Sequence, residues 1–159
     1  MDYQVDVVVD VRTAPYCPRA LHFDRAALRT HLRQLGLVYE DRGDVLGSHP
    51  ASPLLYDDEG HARYDLIAAD PAFKEAALEL VDLAQTKRVI LLCGEAEPAL
   101  CHRYRLIGRV LTEQGHEIWH IAALGRRFSY DEVEAKAGHP AATKPWRSVF
   151  RAISPFDGA

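Results

Sequence analysis

Cysteine is scarce in this chain: three in 159 residues, at positions 17, 93 and 101. An odd count argues against a disulfide scaffold and leaves free thiols or metal ligands. Long apolar runs are missing as well. The longest is Val89–Cys93, far short of the roughly 20 residues a membrane-spanning helix needs. The chain opens Met-Asp-Tyr-Gln, without a basic stretch followed by an apolar one, so a cytoplasmic location is expected. Excess positive charge is also absent. A net charge of −4 argues against a surface built as a whole for nucleic acid and restricts any basic patch to a local cluster. There is no Gly-x-Gly-x-x-Gly, no Gly-Lys-Ser or Gly-Lys-Thr loop and no Gly-x-Ser-x-Gly elbow. Ala99 stands six positions after Cys93 where a phosphatase loop needs arginine. P-loop nucleotide hydrolysis and α/β-hydrolase chemistry are thereby disfavoured.

What is present reads as alternating strands and helices. Residues 5–11 are nearly continuous β-branched residues, as in a buried parallel strand, and end in Asp10 and Arg12. A helix is predicted from Asp24 to about Leu35, with Leu28, Leu32 and Leu35 on one face and Gly36 as its stop. Leu37–Tyr39 reads as a second strand, and residues 40–62 as a long loop. A short helical turn is expected at Tyr64–Ala69. Asp70-Pro71 then opens the clearest amphipathic helix, with Phe73, Ala76, Ala77, Leu80, Val81 and Ala84 on its apolar face. Arg88–Cys93 is a second apolar strand, Pro98 opens a helix that Gly115 closes, and Glu117–Ile121 is a further strand. This order predicts an α/β Rossmann-like three-layer sandwich, its sheet mainly parallel and its helices on both faces. The expected division is a core over 1–124 and a helical extension over 125–159. That extension begins with a capping box at Ser129–Glu132. A second helix, opened by Pro145, would carry Trp146, Val149, Phe150 and Ile153 on one face.

In open α/β sheets, ligands bind beyond the carboxyl ends of the strands. Here those ends carry Asp10, Arg12, Cys93 and Glu95, followed by Cys101, His102 and Arg103 at a helix start. A helix N-terminus favours anions and lowers the pKa of a nearby thiol. The run Cys93-Gly-Glu95 followed by Cys101-His102-Arg103 resembles the bacterial and archaeal family catalogued as domain of unknown function 488. Asp10-Val11-Arg12-x-x-Pro15, Phe23 and Tyr64 resemble its other marked stretches. Cys17 stands where serine is usual, and Gly47-Ser48-His49 stands in place of Gly-Gly-Arg. The resemblance implies the fold and the position of the site. It brings no settled activity with it.

Each candidate has a functional and a bland reading. Cys93 and Cys101 are potential nucleophiles, or small core residues. His102 is a candidate acid or base near neutral pH, or a capping residue. Glu95 could move protons, or hold an arginine. Asp10, Arg12 and Arg103 could bind an anion, or pair with one another. The first expectation is an enzyme of hydrolase or transferase type acting on a small anionic or phosphate-bearing substrate. Cys93, Glu95, Cys101 and His102 would be catalytic, with Asp10, Arg12 and Arg103 binding the substrate. The alternative is an accessory module binding a ligand or nucleic acid, or a Cys/His metal protein. Arg12, Arg19, Arg103, Arg126 and Arg127 could supply a local basic patch. Cys17, Cys93, Cys101 and His102 could supply metal ligands. A metal-free site is preferred, because neighbours on a helix point about 100° apart and Cys101 and His102 would then diverge. The cofactor is undetermined, a homo-oligomer remains open, and no membrane partner is expected.

Overall fold

The structure is a computed structural model describing residues 3–137 and 146–151. Three parallel strands form its centre: β1 (Val7–Asp10), β2 (Val38–Asp41) and β4 (Val89–Leu92), in the order β2-β1-β4. Val7 stands beside Val38 on one side and Val89 on the other, and Asp10 beside Asp41 and Leu92. Alternation of side chains along β1 divides the core. Val7, Val9 and Val11 pack with Phe73, Ala76 and Leu80 of helix α4 (Pro71–Ala84), and with Leu106 and Ile107. Val8 packs with Leu28 and Leu32 of α1 (Arg25–Gln34). Asp10 is the one residue of this β-branched strand whose buried side chain is charged.

Of the two helices that an aspartate precedes, one is capped by it and the other is not. Asp70 accepts from the backbone N–H groups of Ala72 and Phe73, and Pro71 occupies the first turn. Asp24 precedes α1, but its carboxylate accepts from the Cys17 backbone instead, and so ties the β1–α1 loop. Leu35 lies beyond the end of α1 and is exposed. The expected loop over 40–62 contains a helical turn, α2 (Gly43–Leu46), and ends in β3 (His61–Arg63). Helix α3 (Tyr64–Ala69) follows, as expected.

Turn α2 sits hard against the loop after β1. A Cβ on Gly43 would lie 1.9 Å from the Arg12 carbonyl oxygen, and one on Gly47 2.4 Å from Thr13 Oγ1. Both obstacles belong to the segment that carries Arg12. Gly43→Ala is therefore expected to lower unfolding stability by about 1–3 kcal/mol and to disturb the Asp10–Arg12 pair. An unchanged midpoint in urea would show that α2 yields more easily than this contact allows.

Two expectations about topology change. The strand expected at Glu117–Ile121 does not join the parallel sheet. β5 (Trp119–Ile121) pairs antiparallel with β6 (Arg127–Ser129), through a turn closed by the bond from Ala122 N–H to the Arg126 carbonyl. A turn that tight hands the next strand to β5 as its nearest partner. The second tail helix is also replaced. Arg147–Arg151 is a strand, β7, antiparallel to β3. Pro145 and Ile153 lie outside the described residues. The capping box holds: Ser129 N–H donates to Glu132, and Glu132 N–H to Ser129 Oγ, opening α6 (Tyr130–Ala137). The architecture is thus mixed α/β, a parallel three-stranded sheet with two small antiparallel pairs. No helix among the described residues is long and apolar enough to cross a membrane.

Candidate functional site

At the end of β1, Asp10 is fully buried. Its carboxylate accepts from Arg12 through the backbone N–H, Nε and Nη2, and from the Tyr39 hydroxyl at 2.8 Å. Burial alone would push the Asp10 carboxyl up. The donors from Arg12 and Tyr39 outweigh it and hold the group below its ordinary value. Tyr39 pays the converse cost: burial and the adjacent carboxylate raise its phenol well above the usual range. Arg12, with only 11% of its side chain exposed, is engaged with Asp10 rather than open to a ligand.

The next strand end carries the thiols. Cys93 follows β4 directly. Pro98–Leu100 forms a short 3-10 turn, and Cys101 leaves it in extended conformation, at φ −89° and ψ 143°. A helix then begins, as a π-helix over Arg103–Gly108 that continues into α5 (Arg109–Glu113). This differs from the unbroken helix expected from Pro98. The break also removes the geometric objection to shared ligation. Cys101 precedes the helix, so the 100° step between helical neighbours does not separate it from His102.

Cys93 Sγ lies 3.6 Å and Cys101 Sγ 3.9 Å from His102 Nδ1. All three donor atoms lie within 4.8 Å of one another. His102 Nε2 stands 3.1 Å from the Val11 carbonyl. A carbonyl only accepts, so Nε2 carries a proton, and in the neutral ring Nδ1 turns its lone pair to the two sulfurs. Cys17 is not in this cluster.

Arg103 is wrapped around the same centre. Its Nε donates to Cys101 Sγ at 3.1 Å, and its backbone N–H donates to that sulfur at 3.4 Å. Nη1 reaches the Leu91 carbonyl and Nη2 the Glu95 carbonyl at 2.6 Å. The Cys93 thiol, donating to Cys101, together with the Arg103 charge lowers the Cys101 pKa to about 6. Cys93 shifts upward in turn, because ionising it would forfeit that bond. The Glu95 side chain caps the following turn by accepting from Glu97 N–H. What reaches the site from Glu95 is its carbonyl.

The sequence candidates thus fall into two groups, Asp10 with Arg12, and Cys93, Cys101 and His102 with Arg103. Two further residues stand beside them. Tyr39 gave no signal beyond that of an aromatic strand residue. His49, set aside as a loop histidine, lies near enough to His102 for the imidazoles to repel when charged. Burial and that repulsion lower its pKa. Its backbone N–H donates to Thr13 Oγ1, and its Nδ1 lies 2.8 Å from Ser48 Oγ. Its place after the two packed glycines was the available clue. In the expected basic patch, Arg12 and Arg103 face inward, while Arg126 lies over Phe128 and Arg127 over Trp119.

No curated protein and no solved structure matches the chain. A family model does match, described as domain of unknown function DUF488, over residues 1–110. That span contains β1, β4 and every residue of the two groups above. Since it covers more than half of the chain, the protein belongs to the DUF488 family.

Proposed function

We propose that Cys93, Cys101 and His102 bind a divalent transition metal of the zinc type, and that the protein acts through the coordination position they leave open. The observation that carries this reading is the convergence of two sulfurs and one bare imidazole nitrogen. A tetrahedral ion bonded at about 2.3 Å to sulfur and about 2.0–2.1 Å to nitrogen sets its S···N separations at about 3.6 Å. The separations here are 3.6 and 3.9 Å. The surroundings agree. The Val11 carbonyl fixes the histidine tautomer, as outer partners of metal-bound histidines do. N–H donors from Arg103 suit a ligating thiolate at Cys101.

A metal-free nucleophile is the weaker reading, because Cys101, the sulfur held as thiolate, is only 1% exposed. Nucleophilic cysteines sit in partly exposed surroundings. With three protein ligands, a bound ion would leave its fourth position to water or an anionic substrate and would supply metal-assisted hydrolase or transferase chemistry. The position beyond the ends of the parallel strands supports this reading, and His49, within electrostatic reach of His102, would move a proton there.

Metal analysis of untagged protein, purified without chelator, tests the proposal. About one equivalent of zinc or iron is expected, unchanged in Cys17→Ser. Metal-free protein that also fails to take up added zinc at micromolar concentration would refute it.

A further inference from the structure

Among the described residues, β4 pairs with β1 and with no strand on its other side. Along its other edge, between β4 and β5, runs a groove of about 690 Å³, large enough for a small organic ligand. Its walls are mainly apolar, with Leu80, Val89, Leu91 and Ile118 among them. His120 also lines it and is only 7% exposed. The imidazole sits beside Tyr104 and Tyr130, at ring distances of 5.6 and 6.2 Å. Gly108 packs beside it: a Cβ there would meet the His120 ring in ordinary contact at 3.5 Å, but would lie 2.7 Å from the Arg103 carbonyl oxygen.

Among the described residues no hydrogen bond is made to either ring nitrogen of His120, and Nε2 is sealed from solvent. Buried polar groups nearly always have partners, and one without a partner in a cavity wall calls for an explanation. The charges around the groove give it a sign. Arg88, Arg103 and Arg127 line it against the single carboxylate of Glu117, and none of the three arginines makes an ion pair with a carboxylate among the described residues. Arg127 stacks over Trp119 at 4.0 Å, next to His120 on the hairpin.

We propose that this groove binds an amphipathic anion: an apolar chain or ring bearing one carboxylate or phosphate head. The apolar body lies along Val89, Leu91 and Ile118. The head sits at the β5 end, where His120 supplies an N–H through Nδ1, its Nε2 being sealed by protein, and Arg103 and Arg127 supply positive charge. Burial and the Arg103 charge bring the His120 pKa down to about 4, so the groove wall presents a neutral imidazole. None of Cys93, Cys101 and His102 lines this groove, and the proposal does not depend on the metal reading.

Calorimetric titration of the full chain with decanoate is the test, with 1-decanol as the uncharged control. One saturable site for decanoate is expected, with decanol at least about tenfold weaker. His120→Phe, which keeps the ring between the two tyrosines, should weaken decanoate binding by about tenfold, the loss of one hydrogen bond to a charged group. Val89→Trp fills the groove from an edge strand and should abolish binding, whether or not the His120 variant folds. No saturable decanoate binding, equal binding of decanol, or unchanged binding in folded Val89→Trp would each overturn the proposal.

Discussion

Replacing Asp10 with alanine is expected to cost about 3–5 kcal/mol of unfolding stability, the range for breaking a buried ion pair from one side. The figure follows from what is left behind. Arg12 keeps its charge in a setting where 11% of its side chain reaches water, and the Tyr39 hydroxyl loses its acceptor. Tyr39→Phe removes one neutral donor to the carboxylate and should cost only about 1–2 kcal/mol. The double variant Asp10→Ala, Arg12→Leu should recover part of the loss, because it removes the unpaired charge as well. The pH dependence carries a definite sign. Asp10 has its pKa lowered in the fold, so its contribution is complete above the unfolded value, about 3.9. It disappears as pH falls through the lower, folded value. The gap between the wild type and Asp10→Asn should therefore be flat above about pH 5 and close below about pH 4. Urea unfolding at several pH values measures it. A loss below about 1 kcal/mol in Asp10→Ala would mean that Arg12 swings out to water, free to act as the anion clamp that its sequence position suggests.

Much of this arrangement could be read from residue order, and the reasons for the exceptions are physical. β1 and β4 announce themselves as continuous apolar runs, the mark of strands buried on both faces, and α4 by its period of 3.6. The Ser129 capping box is a local device and folds as written. Failures occur where a long-range partner decides. Trp146, Val149 and Phe150 have helical spacing, but five residues cannot distinguish the two periods, and β3 offered an edge 84 or more positions away. Glu117–Ile121 reads as one more parallel strand until the Ala122–Arg126 turn gives it an antiparallel neighbour. At the candidate site, composition and position singled out Cys93, Cys101, His102 and Arg103, which the fold brings together. They could not show which partners each would choose. Arg103 could have faced solvent as a clamp, yet it is held by two carbonyls and a sulfur. The extended backbone at Cys101 was equally hidden, because Pro98 reads as a helix start and nothing after it signals a break before residue 103.

That break makes the ligand variants informative. Cys101→Ala should leave no bound metal at micromolar concentration, whereas Arg103→Leu should retain one equivalent at saturation with about 10–100-fold weaker affinity, the usual cost of losing an outer partner. The contrast rests on geometry. Cys101 would supply the sulfur carrying the negative charge, the donor hardest to replace. Arg103 would touch that sulfur rather than the ion, holding it from Nε and the backbone N–H while its other two nitrogens fix Leu91 and Glu95. Arg103→Lys keeps the charge without the fork and should fall between the two. Cobalt substitution separates the roles spectroscopically. Sulfur-to-cobalt charge-transfer absorption should fall by about half in Cys93→Ser, where one of two thiolates is lost. In saturated Arg103→Leu it should keep its full intensity, because both sulfurs still bind. Full metal affinity in Arg103→Leu would return that residue to ligand binding, and full affinity in Cys101→Ala would move the metal elsewhere in the chain.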